Sequence, residues 1–248
     1  MGEPAEPSTA RMIDFWLGGE HHFPVDVAAA NAFEQAYGPC APVFRELRAF
    51  LGRAVRAIAE QGVDGFLVFG AGVPTMGNVH EVAADATVLY TDVDPVTIRL
   101  GQRILAGSDR AGYGYGDATD IGTIDPAQLH RFVPGWGRRP VGVVFLGLAA
   151  FLDDDTLTRT LDELYAAAAP GSLLALDFDT EELAGHPRAL AMMGPAFRMR
   201  PPAAFPPLLG RWTPTPDGIV PVNRWRPDGP PVEVPDAFHG VLATRDAD

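Results

Sequence analysis

Lysine is missing from this 248-residue chain: all 19 of its basic residues are arginine. That removes Schiff-base catalysis, attachment of pyridoxal phosphate and the lysine of a phosphate-binding P-loop. Cysteine is nearly missing too. The single Cys40 can form neither an internal disulfide nor a multi-thiolate zinc site, and the flanking Pro39 and Pro42 suggest a turn in which it is structural. The six histidines fall into no His-Glu-x-x-His or Cys/His pattern, so no catalytic metal is expected. Long apolar runs are also lacking: Val141 to Leu152 is too short to span a bilayer. The opening Met1-Gly2-Glu3-Pro4 carries neither the basic nor the apolar region of a signal peptide, which makes a cytoplasmic address the expectation. Positive charge is scarce. Thirty-two acidic residues against 19 basic ones give a net charge of −13, which repels polyanions and argues against a sequence-independent grip on nucleic acid.

What remains is the composition of one large α/β domain, 47% hydrophobic and 21% charged. Helical spacing predicts helices over Ser8 to Leu17, Val25 to Ala36 and Pro42 to Gln61; in the last, Val43, Leu47, Phe50, Leu51, Ala54, Val55 and Ile58 form one apolar stripe. The period then shortens. Gly65 to Gly70 and Thr87 to Asp92 read as strands, Gly112 to Gly116 as a weaker one, and Val141 to Leu148 and Ser172 to Phe178 as strands buried on both faces. Between them, Asn78 to Ala84 and Asp153 to Ala168 read as helices, and Asp94-Pro95 is an N-cap followed by proline at the first helical position. Such alternation predicts a doubly wound, mostly parallel sheet. Late extended runs, Ile219 to Trp225 and Phe238 to Thr244, suit an antiparallel hairpin at its edge.

The turn Gly70-Ala71-Gly72-Val73-Pro74-Thr75 lies where an open α/β sheet binds a ligand. Gly70 and Gly72 allow close approach to the backbone. About twenty residues on, Asp92 is placed to accept hydrogen bonds from both hydroxyls of a ribose, and Asp117 is placed to accept one from an adenine amino group. A dinucleotide fits less well, because Thr75 replaces the third glycine of that fingerprint and Pro74 removes an amide donor.

Several stretches together resemble a family of S-adenosylmethionine (SAM)-dependent methyltransferases, found mainly in actinobacteria and long catalogued as a domain of unknown function. They are Pro7-Ser8-Thr9-Ala10-Arg11-Met12-Ile13-Asp14 with Leu17-Gly18-Gly19, Arg48-Ala49-Phe50-Leu51 with Arg53-Ala54-Val55, the glycine turn, Asn78-Val79-His80-Glu81, Tyr90-Thr91-Asp92-Val93-Asp94-Pro95, Pro170-Gly171-Ser172 and Trp225-Arg226-Pro227. The resemblance implies a class I methyltransferase fold, Rossmann-like and seven-stranded, with extra N-terminal helices. It implies SAM at Gly70, Gly72, Asp92 and Asp117, with residues 1–62 as a helical cover over a SAM-binding unit of residues 63–248. Three positions depart from the family pattern. Val68-Phe69 stands where relatives carry an acid before the loop, Ala150-Phe151 where they tend to have His-Phe, and Asp177-Phe178-Asp179 replaces a Ser-His-like ending.

Methyl transfer from a sulfonium needs alignment and a dry site rather than a nucleophilic side chain. Where the acceptor must lose a proton, the candidate bases are His21, His22, Asp177 and Asp179. His80 and Glu81 are expected to orient the loop through hydrogen bonds at a helix start. Phe15 and Trp16 in the head, and Met192, Met193, Phe197, Phe205 and Trp212 in the proline-broken segment after the fifth strand, are candidates to line an acceptor cavity. Two readings stay open: a methyltransferase acting on an apolar or aromatic small molecule in specialised metabolism, or a relative that keeps the fold for a rearrangement, a cyclisation or binding alone. Neither specifies an oligomeric state.

Overall fold

Short apolar runs ended by glycine turns become the parallel strands, and the helical stripes become the layers that cover them. The computed structural model describes residues 4–246, so Met1-Gly2-Glu3, which open the segment read for targeting, lie outside the described residues. Three helices come first, α1 (Thr9–Leu17), α2 (Pro24–Tyr37) and α3 (Ala41–Ala59). Gly18 stops α1 at φ +84°, a left-handed conformation that glycine adopts without penalty. Asp26 joins the first two helices. One of its oxygens accepts from Ser8 N at 2.9 Å, while the other accepts from Phe23 N at 2.9 Å and pairs with Arg11 Nε at 2.8 Å, with both charged side chains buried.

The sheet elements follow as β1 (Gly65–Phe69), α4 (Val79–Val82), β2 (Thr87–Asp92), α5 (Pro95–Ile104), β3 (Ala111–Tyr115), α6 (Pro126–Phe132), β4 (Gly142–Phe145), α7 (Asp154–Ala167) and β5 (Leu173–Asp179). After α8 (Pro187–Met193) come β6 (Thr213–Pro214), β7 (Val220–Pro221) and β8 (Phe238–Thr244). The strand order is β3-β2-β1-β4-β5-β8-β6, with β7 also paired to β8. Strands β1 to β5 are parallel, and β8 runs antiparallel to β5, β6 and β7. The seven-stranded α/β sheet is therefore present, and the two-residue β7 adds an eighth strand. The predicted terminal hairpin is reduced on one arm: within Ile219 to Trp225 only Val220–Pro221 pairs, and Val222–Arg224 turns away as a 3₁₀ segment. The fourth strand is also shorter than its apolar run, because Gly147 turns the chain at φ +70°. Helix α6 is not foreshadowed by the sequence pattern.

Two-residue alternation sends Phe66 and Val68 to one face of the sheet and Leu67 and Phe69 to the other. The first face packs under α3, and the second under α7 together with Phe205, Leu209 and Trp212. Arg53 of α3 donates to the carbonyls of Trp225 at 2.7 Å and Val222 at 2.6 Å, which fixes the late segment over the first face. Among the described residues no helix is long and apolar enough to cross a membrane.

Candidate functional site

Strand order reverses at β1, which has β2 on one side and β4 on the other, and open α/β sheets bind ligands at such a switch point. A cavity of about 300 Å³ opens there, at the lower end of the range for ligand sites. Its floor includes Val68, Gly70, Gly72, Asp92 and Asp117, and its roof is α1, through Thr9, Ala10, Ile13, Asp14 and Leu17. Gly70 (φ +53°) and Gly72 (φ +61°) both lie in the left-handed region. A Cβ on Gly70 would fall 2.4 Å from Leu148 Cδ2, and one on Gly72 would press on Ala10 at 3.3 Å, so the loop and its roof close on bare backbone.

Asp92 ends β2 beneath this loop. Its Oδ2 accepts from Gly72 N at 3.1 Å and its Oδ1 from Val93 N and Asp94 N at 2.8 and 2.9 Å. Burial raises its carboxyl above the usual range against the pull of these three N–H groups. Three of about four acceptor positions are thus engaged by the backbone. Asp117 holds Thr119 N and Oγ1 with Oδ1, each at 2.8 Å, and its Oδ2 has no protein partner among the described residues. Behind the loop, Glu81 accepts from Gly77 N at 2.5 Å, and the His80 backbone N–H and ring Nδ1 meet the Tyr90 hydroxyl at 3.0 and 2.7 Å.

Two charged residues of this cavity lay in quoted motifs without a predicted role. Asp14 reaches across from α1, taking the Thr75 hydroxyl on Oδ1 at 2.8 Å and His21 N and His22 Nδ1 on Oδ2 at 2.7 and 3.1 Å. Arg48 makes a single hydrogen bond among the described residues, to Asn78 Oδ1 at 2.7 Å, and no carboxylate lies within ion-pair distance of it. Desolvation lowers its pKa. The signal was available, since Arg48 continues the spacing of Phe44, Leu51 and Val55 and so puts a charge on an apolar face.

The remaining predicted residues separate. A second cavity, about 80 Å³, lies between the N-terminal helices and the segment after β5; it is lined in part by Trp16, Met193, Phe197 and Asp179, and shares Thr9 and Phe44 with the first. Phe205 and Trp212 line neither: Phe205 stacks on Phe178 at 3.8 Å and Trp212 donates to Leu161 O at 2.8 Å, both in the core under α7. Met192 is 48% exposed on α8. Phe15 packs edge-on to His22 in the cluster around Trp16, and Phe15, His21 and His22 line neither of these two cavities. Asp177 is wholly buried. Its Oδ1 accepts from Gly147 N at 2.6 Å and its Oδ2 has no partner.

Burial pushes the Asp177 carboxyl up to about 7, against the pull of the Gly147 N–H. In the unfolded chain it titrates near ~4, so from about pH 4 upward that chain releases a proton the folded one keeps. The stability Asp177 contributes is complete below about pH 4 and is lost as pH rises through about 7. Asp177→Asn, which cannot ionise, should flatten the fall in melting temperature between pH 5 and pH 8. Equal falls in both proteins would remove Asp177 as its cause.

The sequence model of the S-adenosyl methyltransferase family matches residues 3–244. Among solved structures, a candidate methyltransferase from Thermobifida fusca YX superposes with a TM-score of 0.85 at 27% identity, covering 98% of this chain and 96% of its own. A DUF574 family protein from Streptomyces avermitilis MA-4680 gives a TM-score of 0.85 at 29% identity, with 96% of this chain and 97% of its own covered. Magnesium protoporphyrin IX methyltransferase from Synechocystis PCC 6803, with S-adenosylhomocysteine (SAH) bound, shares the fold at 14% identity and a TM-score of 0.58, over 88% of this chain and 94% of its own. The comparison with curated proteins finds no match.

Proposed function

Because the chain belongs to the S-adenosyl methyltransferase family, with SAM as cofactor, we propose that it methylates an apolar or aromatic small molecule of specialised metabolism. In this reading SAM occupies the cavity under α1, and the acceptor enters between residues 1–62, acting as a cover, and the segment after β5. The observation that carries it is the switch-point cavity itself, where two left-handed glycines, Asp92 and Asp117 meet beneath α1.

The donor set fits SAM end to end. Gly70 and Gly72 leave bare backbone against the ligand, Asp92 accepts from a ribose hydroxyl and Asp117 Oδ2 from the adenine amino group. Arg48, charged and short of partners, takes the carboxylate of the methionine end. Asp14 takes the ammonium. Val68, 4% exposed, gives the cavity only methyl groups, so the carboxylate for that ammonium comes from the roof rather than from β1. When bound, the cofactor supplies a methyl group made electrophilic by its sulfonium. The chain aligns the acceptor and excludes water, since a displacement of this kind gains most from orientation in a dry site. Asp179, on the acceptor cavity, holds or receives a proton at its carboxylate, because burial and Asp177 raise it well above the usual carboxylate range. His21 and His22 position Asp14 rather than act as bases.

Calorimetric titration with SAM and SAH tests the cofactor assignment. Asp92→Ala should weaken both by about 1.5–3 kcal/mol, roughly ten- to 150-fold. Unchanged affinity would overturn the ribose role. For the acceptor, methyl-labelled SAM and a panel of apolar and aromatic amino and hydroxy compounds should give labelled product, and a panel from which no member takes label would count against this acceptor class.

A further inference from the structure

Two tyrosines hold the glycine turn. Tyr90 on β2 and Tyr113 on β3 are partners in the parallel register, and their rings stack on one face of the sheet with centroids 6.0 Å apart and 21° between planes. Both are buried. Their hydroxyls reach the two ends of the segment that runs from β1 into α4. The Tyr113 hydroxyl donates to the Gly72 carbonyl at 2.7 Å, while the Tyr90 hydroxyl accepts from the His80 backbone N–H at 3.0 Å. Burial and the nearby carboxylates of Asp92 and Asp94 raise Tyr113 well above the usual phenol range, so its hydroxyl keeps the proton it donates. Gly101 of α5 makes room for that reach, since a Cβ there would overlap the Tyr113 ring.

Gly72 is thereby gripped on both sides, its carbonyl by Tyr113 and its N–H by Asp92 Oδ2 at 3.1 Å. Left to itself a glycine adopts positive and negative φ about equally readily, so these two bonds keep it at φ +61°. The grip matters because of how Asp92 divides its two oxygens. Among the described residues Oδ1 takes Val93 N and Asp94 N, whereas Oδ2 takes Gly72 N alone, so Oδ2 has the more acceptor capacity left for a ligand. The Gly72 N–H sets where the remaining lone pair of Oδ2 points, and the Tyr113 hydroxyl sets Gly72. Tyr113 itself does not line the first cavity, so any effect it has on a ligand there passes through the loop.

We propose that Tyr113 is a positioning residue for the cofactor: by holding the Gly72 carbonyl it keeps the Gly72 N–H on Asp92 Oδ2 and so aims that oxygen at a ribose hydroxyl. The inference rests on the assignment of Asp92 to the ribose and adds to it a residue one strand away that decides how well Asp92 serves.

The test is a double-mutant cycle on the full chain, read by calorimetric titration with SAH. Tyr113→Phe keeps the ring and loses only the donor, and it should weaken SAH binding about three- to tenfold, the net worth of one hydrogen bond. In an Asp92→Ala background the same substitution should change affinity by less than about twofold, because the group it positions is gone. A role in folding alone would lower the melting temperature and leave equal losses in the two backgrounds. Equal losses, no loss in the parent background, or a Tyr113→Phe protein that does not fold would each overturn the inference. If Asp92→Ala does not fold, the cycle is closed from the ligand side: Tyr113→Phe should weaken adenosine and leave 2′,3′-dideoxyadenosine unchanged, and equal losses for the two would again overturn it. SAH affinity unchanged in Asp92→Ala alone would instead overturn the ribose reading, and this inference with it.

Discussion

Replacing Asp26 with alanine should cost the folded state about 3–5 kcal/mol, the usual penalty for removing one partner of a buried ion pair. Asp26 is wholly buried, and its two oxygens serve Arg11, Ser8 and Phe23. Without it the Arg11 guanidinium, 2% exposed, keeps among the described residues Asp94 at 3.4 Å, the Glu6 carbonyl at 2.9 Å and the face of the Phe23 ring at 5.6 Å. Urea unfolding would measure the loss. The paired replacement Arg11→Met with Asp26→Leu should recover most of it, because it removes the stranded charge along with its partner. A single variant within about 1 kcal/mol of the parent would show that water reaches the guanidinium.

Arg48→Gln should weaken SAH binding at least about thirtyfold, since truncating one member of a desolvated charge pair costs about 2 kcal/mol or more. The comparison that isolates the cause is 5′-methylthioadenosine, which keeps adenine, ribose and sulfur but lacks the amino-acid end. Its affinity should be the same for parent and variant. A parallel loss for both ligands would mean that Arg48 acts by shaping the loop through Asn78 and not by meeting a carboxylate.

Local physics that does not depend on distant parts of the chain was readable from the residues. Asp94 caps α5 through Val96 N and Thr97 N at 3.1 and 2.9 Å, as an aspartate before proline should. The buried runs of β1, β2 and β5 came out within a residue or two of their predicted bounds. Helix α6 escaped because seven residues between Asp125 and Val133 are too few for a period to stand out. Aromatic placement was beyond local reading. Phe197 and Phe205 lie eight residues apart in one proline-rich stretch, yet the chain carries the first to the second cavity and folds the second onto Phe178 on the other side of the sheet. Nothing in spacing separates them, because the 3₁₀ turns at Pro202–Ala204 and Pro206–Leu209 decide which way each ring faces. Asp14 and Arg48 stood inside motifs, but a charge on a helix reads as solvated until tertiary contacts bury it.

Helix α1 is both roof and fastening. It closes the first cavity with Thr9, Ala10, Ile13, Asp14 and Leu17, while Asp14 grips Thr75 and Arg11 grips Asp26 and Asp94. Where a nucleoside leaves past that roof, the Asp14 to Thr75 bond has to break, which ties this route of ligand exchange to an excursion of the helix. Residence time then becomes a property of residues that never touch the reacting atoms. A spent cofactor would leave on the timescale of that excursion, and loosening Thr75 alone would hasten its departure without altering the sheet.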